Sequence, residues 1–355
     1  KLTLVIEFVI MAIVLMLRPF GLMGKPLAHA RSMQQPESAP GSLTGPMRFM
    51  VLALFSMALL AIVLADPKGY GLVLGIDVML MVMLAASLHW MMSAAGLHSF
   101  GHAAYFGAGA YAAGLLSLKF KWGFLPSLCS APWFAAALAM IFAGACIRLS
   151  GVYLAMLTLA FAQILWSVLY QSDDIAGGSN GLVGIWPEGP FADRQWFALM
   201  VLAMLSVALA AMRLAHASYW ALALRAARDS PIRLEAQGIA RQPLQWFTFV
   251  SSAWLAGLAG ALFAYSKGSI SPDLLSISRS VDVLVMVLLG GIQSFWGPLW
   301  GGLSFTVLQD WLARDWSYWR GILGLLLLAL ILMGPGGLSG LRFGLAGKRW
   351  RGQDL

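Results

Sequence analysis

The sequence is dominated by long apolar runs that short polar segments separate. A helix of roughly 20 apolar residues crosses a hydrocarbon core about 30 Å thick, and several of the runs reach that length. Because lipid offers no hydrogen-bond partners, such a run must be a helix or part of a closed barrel. The runs are too long and too continuously apolar for the alternating strands of a barrel. The sequence therefore predicts an all-α, polytopic transmembrane helical bundle.

Composition supports the membrane class and argues against other classes. Of the 355 residues, 60% are hydrophobic and 11% are charged, whereas a soluble domain carries about 25% charged residues. The net charge of +8 is better explained by basic cytoplasmic loops than by nucleic acid, because no basic run is interleaved with aromatic residues. Cys129 and Cys146 lie in or beside apolar runs, which favours two small buried thiols over a disulfide or a metal site.

Apolar length predicts about ten core spans and one extra N-terminal span. The predicted spans are residues 2–17, 47–65, 71–92, 96–118, 125–147, 151–170, 195–212, 244–266, 280–292, 297–312 and 321–333. The span over residues 280–292 is short and ends in glycine, so we expect it to be tilted or broken.

The positions of Lys and Arg predict how the chain is threaded through the membrane. Arg18, Lys25, Arg31 and Arg48 lie in or beside the polar linker over residues 27–46 and make this segment basic. The loop over residues 215–243 and the tail over residues 341–355 are also basic, and the loop over residues 171–194 is acidic. Threading the spans in order places the three basic segments on the cytoplasmic side and the acidic loop on the other side. The C-terminus is therefore expected in the cytoplasm, and Lys119, Lys121 and Lys267 are minor exceptions.

The loop over residues 215–243 has the pattern of two short helices. A helical pattern runs to Asp229, Pro231 can open a second helix with Ser230 as its cap, and Gly238 suits its end. Such an element at the cytoplasmic surface has the right shape to dock in a groove of a partner. The alternative interpretation is an ordinary basic loop beside the membrane, and the pattern alone leaves both open.

Residues 96–114 are rich in glycine and alanine. Small residues allow helices to approach closely in lipid, or allow a broken helix where it lines a cavity. His98 and His102 are four residues apart and could share a metal, but no carboxylate or thiol completes a site. We therefore favour a packing or hydrogen-bonding role for His102. The loop over residues 177–182 is either a plain turn or part of a mouth that meets a delivering protein.

The distribution of acidic residues limits the mechanism. Asp77, Asp282 and Asp310 fall near span ends, and only Glu7 falls near a span centre. The chain thus lacks the interior series of ionisable groups expected of a proton-driven carrier. It contains neither a phosphate-binding Gly-x-x-x-x-Gly-Lys-Ser/Thr loop nor a catalytic triad, so a nucleotide site would lie on another polypeptide and an enzyme is not expected.

Several motifs, in order, carry a resemblance to a known family. They are SFGHAAYFGAGAY at residues 99–111, GVYLAMLTLAFAQ at 151–163, GGSNGL at 177–182, RAARD at 225–229 and EAQGI at 235–239. Residues 47–340 resemble the LivM-type permeases of branched-chain amino acid ABC importers. Gln293 departs from the family, which usually has glycine there. Residues 1–26 resemble the end of a sister LivH-type permease and are expected to be fused to this chain or cut from a longer one.

The resemblance implies a permease subunit of the inner membrane that binds no cofactor, because ATP is bound by its partner subunits. Its expected partners are a LivH-type permease, two ABC ATPase subunits, a periplasmic or lipid-anchored solute-binding protein and membrane lipid. The expected cargo is a branched-chain amino acid or a related small polar, amide or carboxylate solute. The alternative is a stand-alone ion-coupled secondary transporter or channel, which would depend on Asp77 or Asp282.

Three sets of residues are the predicted functional positions. Those expected to couple to the ATPase are Arg225, Arg228, Asp229, Glu235, Ala236 and Gly238. Those expected along the substrate pathway are Gly101, His102, Gly107, Gly109, Tyr111, Tyr153, Thr158, Gln163 and Asp282. Those expected to meet the binding protein are Gly177, Gly178, Asn180 and Gly181.

Overall fold

The computed structural model describes residues 3–18, 69–315 and 318–333. These ranges form thirteen α-helices and two short strands. The helices are α1 Thr3–Leu17, α2 Tyr70–Ala95, α3 Ala103–Leu118, α4 Phe124–Cys146, α5 Val152–Gln171, α6 Asp173–Ala176, α7 Arg194–Ala217, α8 Tyr219–Asp229, α9 Pro231–Ala236, α10 Arg241–Lys267, α11 Ile277–Gly290, α12 Gly297–Asp315 and α13 Trp319–Met333. The strands, β1 Leu182–Val183 and β2 Ser269–Ile270, pair antiparallel.

The predicted all-α membrane fold is confirmed. A helix occupies each of the ten predicted spans that lie within the described residues. Five of these helices, α2, α4, α5, α7 and α10, are long and apolar enough to cross a membrane. The predicted span over residues 47–65, the linker over residues 27–46 and the tail over residues 341–355 lie outside the described residues.

Helices α2, α3, α4 and α10 pack together as the centre of the bundle. Glycine makes the contact between α3 and α10 possible. A Cβ added to Gly260 would lie 1.8 Å from the carbonyl oxygen of Phe106, and one added to Gly109 would lie 2.1 Å from that of Gly257. Backbones that approach this closely exclude any side chain, as in other small-residue helix contacts in lipid.

Helix α1 lies against α5, with Ala12 and Leu15 buried. The origin of residues 1–26 as the end of a sister permease stays a prediction.

The break between α2 and α3 differs from the prediction. The predicted span began at residue 96, but α3 begins at Ala103. Gly96 ends α2 in a left-handed conformation with φ +67°, and the residues that follow it are not helical. The Phe100 N–H in this segment donates to Thr158 Oγ1 at 3.1 Å. Apolar length alone does not reveal such a break, because the broken segment is as apolar as a helix.

This break also removes the helical spacing on which a metal shared by His98 and His102 would depend. His98 is exposed, whereas His102 is fully buried and its Nε2 lies 2.8 Å from Ser87 Oγ. Within the described residues, no group of three metal-ligating side chains forms a site. The predicted hydrogen-bonding role of His102 is confirmed.

The two cysteines do not share one environment. Both are free, and Cys146 is buried as predicted, but Cys129 is exposed on α4. The prediction of two buried thiols was wrong for Cys129 because an apolar helix in lipid exposes part of its apolar surface, so apolar neighbours in sequence do not imply burial.

Candidate functional site

Helices α8 and α9 form the predicted helix–turn–helix. The Ser218 hydroxyl caps α8 by accepting from the Ala221 N–H at 3.4 Å, and Pro231 occupies the first turn of α9. The chain leaves α9 through Gly238 at φ +79°. Ser230 occupies the predicted N-cap position of α9, although its side chain makes no capping hydrogen bond. The rigid φ of Pro231 opens the helix instead.

One face of this element is buried and the other is open. The residues Ala221, Leu224 and Ala227 on α8 and Leu234 on α9 are buried against the bundle. In contrast, Tyr219 is 91% exposed and Ile232 is 81% exposed. Helices α8 and α9 are thus packed against the bundle on one face and expose an isoleucine and a tyrosine on the other. Such an exposed face is suited to docking.

Arg228 fastens α8 to the end of α2. Its Nη1 donates to the carbonyl oxygen of Ser93 at 2.7 Å, and its Nε lies 3.2 Å from Asp229 Oδ1. The Ser93 carbonyl is one of the last four of α2, which have no partner within the helix. A guanidinium at this end of a helix also interacts favourably with the helix dipole. The aliphatic part of the Arg228 side chain packs so closely that a Cβ on Gly96 would lie 2.7 Å from its Cγ.

Arg225 makes the equivalent connection to α7. Its Nη2 donates to the carbonyl oxygen of His216 at 3.0 Å, and its Nε donates to that of Ala221 at 3.3 Å. His216 is in the last turn of α7, so its carbonyl also lacks a partner within its helix. The two arginines of the RAARD motif therefore connect α8 to the C-terminal ends of two membrane-length helices.

The other predicted coupling residues lie on the open side. Glu235, Ala236 and Gly238 are exposed on and after α9, and Asp229 is exposed beside Arg228. The structure thus divides the predicted coupling set into two arginines that face the bundle and four residues at the surface.

The predicted pathway residues are distributed over several packing contacts. Gly101 and Thr158 are in contact, since a Cβ on Gly101 would lie 2.0 Å from the Thr158 carbonyl oxygen. Gly107 packs against Leu275, and Gly109 packs against Gly257.

The remaining pathway residues differ in their exposure. Tyr111 and Gln163 are buried, and Tyr153 and Asp282 are half-buried. Within the described residues, the Tyr111 hydroxyl has no hydrogen-bond partner. A role for any of these nine residues in conducting substrate stays a prediction.

The backbone conformation of the GGSNGL loop favours glycine at three of its positions. Gly177, Gly178 and Gly181 all have positive φ values, of +75°, +55° and +71°. A Cβ on Gly181 would lie 1.9 Å from the Ile270 carbonyl oxygen, where β1 meets β2. Asn180 is exposed beside them. The three glycines shape this loop, and its contact with a binding protein stays a prediction.

An ion pair that sequence reasoning missed lies at the same end as β1 and β2. Lys267 Nζ, at the end of α10, is 2.7 Å from Asp77 Oδ2 near the start of α2. Ser93 follows Asp77 by sixteen positions along α2, which is about 24 Å along a helix. The acidic loop and the α8–α9 element therefore lie at opposite ends of the bundle, and Lys267 neutralises an acid there.

Comparison with known proteins identifies similar chains. A family model described as the permease component of the branched-chain amino acid transport system matches residues 72–332. The chain is also similar to the high-affinity branched-chain amino acid transport system permease protein LivM of Escherichia coli (strain K12) and to its namesake in Salmonella typhimurium (strain LT2). Each is 29% identical over 321 residues, which cover 80% of this chain and 74% of the relative. No solved structure matches the chain significantly.

Proposed function

Because the chain belongs to the family of branched-chain amino acid transport permeases, we propose that it is the transmembrane permease subunit of an ATP-driven importer. Its cargo is a branched-chain amino acid, as in the names of its relatives, or a related small polar, amide or carboxylate solute. The chain binds no nucleotide, and two ATPase subunits supply the energy. A LivH-type permease completes the passage, and a periplasmic or lipid-anchored binding protein delivers the solute.

The observation that carries this proposal is the pair of arginine contacts between α8 and the ends of α2 and α7. An ATPase that seats on the exposed face of α8 and α9 displaces that element when it closes on ATP. Arg228 and Arg225 pass the displacement to Ser93 on α2 and to His216 on α7. A charge-assisted hydrogen bond contributes about 1.5–3 kcal/mol. The ends of α2 and α7 therefore stay bound to α8 when it moves. Helices tilted in this way open the passage alternately to either side.

Uptake by the reconstituted complex tests this proposal. The chain, its sister permease, the binding protein and the two ATPase subunits are reconstituted in vesicles, and uptake of radiolabelled leucine is measured with ATP. We expect uptake with active ATPase subunits and none when their catalytic residues are inactivated. Leucine uptake that continues with inactive ATPase subunits would contradict the proposal.

Replacement of Asp77 by asparagine distinguishes the proposed importer from an ion-coupled carrier. The change removes the ion pair between Asp77, whose side chain is 25% exposed, and Lys267, whose side chain is 35% exposed. An ion pair as exposed as this contributes only about 0–1 kcal/mol. We therefore expect Asp77→Asn to retain uptake within about twofold of the unmodified complex. An ion-coupled carrier that uses this carboxylate would instead lose uptake and its dependence on the ion gradient.

A further inference from the structure

A cavity of about 240 Å³ opens at the end of the bundle where Asp77 pairs with Lys267. It is bounded by the first two turns of α2, the first turn of α7, the last turn of α10 and the segment between β1 and α7. Its volume is below the range of drug-sized ligands and suits a small solute. None of the nine predicted pathway residues lines it, so the transport proposal gives this cavity no role.

The floor of the cavity is largely apolar and closed. Ile76, Phe197 and Tyr265 are 2%, 3% and 1% exposed, and Val73 is half-buried beside them. A concave apolar wall favours an aliphatic group, because the removal of apolar surface from water is favourable. A closed floor of this size admits a short branched side chain and excludes a long acyl chain.

The side wall formed by Trp186 is fixed in place. The backbone N–H groups of Gly184 and Ile185 donate to the Gly268 carbonyl oxygen at 2.9 Å and 3.0 Å. The Trp186 ring lies over the same turn, since a Cβ on Gly268 would lie 2.5 Å from Trp186 Cζ2. The cavity is therefore formed before any ligand arrives, which lowers the ordering cost of binding.

The mouth of the cavity presents charges of both signs. Lys267 is neutralised by Asp77 at 2.7 Å, whereas Arg194 is exposed and has no ion-pair partner among the described residues. Glu188, in the segment that forms the side wall, is also exposed and interacts electrostatically with Tyr265. An apolar floor below an available cation and a nearby carboxylate matches an α-amino acid, which carries a carboxylate and an ammonium group beside its side chain.

We propose that this cavity binds a free branched-chain amino acid as it enters the permease. The aliphatic side chain lies against Val73, Ile76 and Phe197. The carboxylate accepts from the Arg194 guanidinium, whose planar fork matches carboxylate geometry, and the ammonium group faces Glu188. The identity of the ligand as cargo, and the placement of this end outside the cell, rest on the proposed function, whereas the binding itself does not.

Photochemical labelling locates the bound leucine without measuring transport. The complex of this chain with its sister permease and ATPase subunits, without the binding protein, is irradiated with a leucine analogue that carries a diazirine in its side chain. Labelled peptides are identified by mass spectrometry. We expect adducts on the peptides that contain Val73 and Phe197, and excess leucine should prevent them.

Two tryptophan substitutions test whether the adducts depend on the cavity. Val73→Trp fills it and should lower the labelling roughly tenfold or more. The matched control is Val207→Trp, which changes a 69% exposed valine of α7 outside this cavity. It should retain the labelling within about twofold.

Two exposed residues test recognition of the charged groups, so they decide the matter even if Val73→Trp fails to fold. Arg194→Gln should weaken leucine binding roughly threefold to tenfold and remove the preference for leucine over leucinamide, which lacks the carboxylate. Glu188→Gln should instead reduce the preference for leucine over 4-methylpentanoate, which lacks the ammonium group. Arg148→Gln removes an exposed arginine outside the cavity and should change leucine binding by less than about twofold.

Uptake by the same complex, with binding protein and ATP, separates the failure of this inference from the failure of the proposed function. Uptake together with adducts only outside the cavity, or with an unchanged leucine preference in Arg194→Gln, would overturn the inference and leave the proposed function in place. Adducts in the cavity that Val73→Trp removes would support the site. An absence of ATP-dependent uptake beside such adducts would count against the proposed function alone.

Discussion

Replacement of Gly260 by leucine is expected to prevent recovery of a folded protein. A Cβ at this position would lie 1.8 Å from the Phe106 carbonyl oxygen and 3.1 Å from the Ala110 backbone nitrogen. Neither atom is the end of a flexible side chain, so α3 and α10 would have to separate. Overpacking in a tight core costs about 1–3 kcal/mol and sometimes more, and separation of these helices would open the centre of the bundle.

The measurement is the monodisperse yield of the chain in detergent, together with its Tm. We expect Gly260→Ala to lower the Tm already and Gly260→Leu to give no monodisperse peak. The matched control is Gly144→Ala on α4, where an added Cβ meets nothing within 4 Å. There the change should be neutral or gain up to about 1 kcal/mol, because alanine favours a helix over glycine. A Tm for Gly260→Ala equal to that of the unmodified chain would contradict the close contact.

Replacement of Arg228 by glutamine is expected to lower uptake by the reconstituted complex at least tenfold while the chain still folds. The change removes the hydrogen bond to the Ser93 carbonyl, worth about 1.5–3 kcal/mol, which corresponds to roughly a tenfold or larger change in an equilibrium. The end of α2 then no longer follows α8. ATP hydrolysis by the partner subunits should continue, so the variant is uncoupled rather than inactive.

Two further variants serve as comparisons for Arg228→Gln. Arg228→Lys keeps the charge but loses the planar fork of the guanidinium, so its uptake should be intermediate. Arg148→Gln removes an exposed arginine after α4, at the same membrane side by the predicted threading, and should leave uptake within about twofold. If Arg228→Gln and Arg148→Gln lower uptake equally, the contact with Ser93 does not transmit the motion.

Local patterns were sufficient to predict most of the fold. Apolar length located ten of the thirteen helices within the described residues, because a spanning segment must satisfy its own backbone in lipid. The α8–α9 element was also predictable, since Pro231 and Gly238 act through their own backbone angles. The start of α3 was not, because the segment before it is held by Thr158, which is 58 residues distant from Phe100.

The contacts that define the candidate site were less predictable. The RAARD motif indicated a coupling segment, but it did not reveal that Arg228 caps α2 and Arg225 caps α7. Arg228 and Ser93 are 135 residues apart, and Lys267 and Asp77 are 190 residues apart. Hydropathy and turn signals describe neighbours along the chain, whereas these contacts depend on which helix ends meet. A signal was nevertheless present for Arg225, because it closely follows the long helix α7, whose terminal carbonyls need donors.

The central claim is that the α8–α9 element faces the cytoplasm, where an ATPase can reach it. Ile232, which is 81% exposed on α9, is replaced by cysteine in a chain whose two native cysteines are changed to alanine, and a membrane-impermeant maleimide is applied to intact and to permeabilised cells. A cysteine at the exposed Ser179 of the acidic loop serves as the outward control. The account predicts that Ile232→Cys is labelled only after permeabilisation, whereas Ser179→Cys is labelled in intact cells. Labelling of Ile232→Cys in intact cells would contradict it.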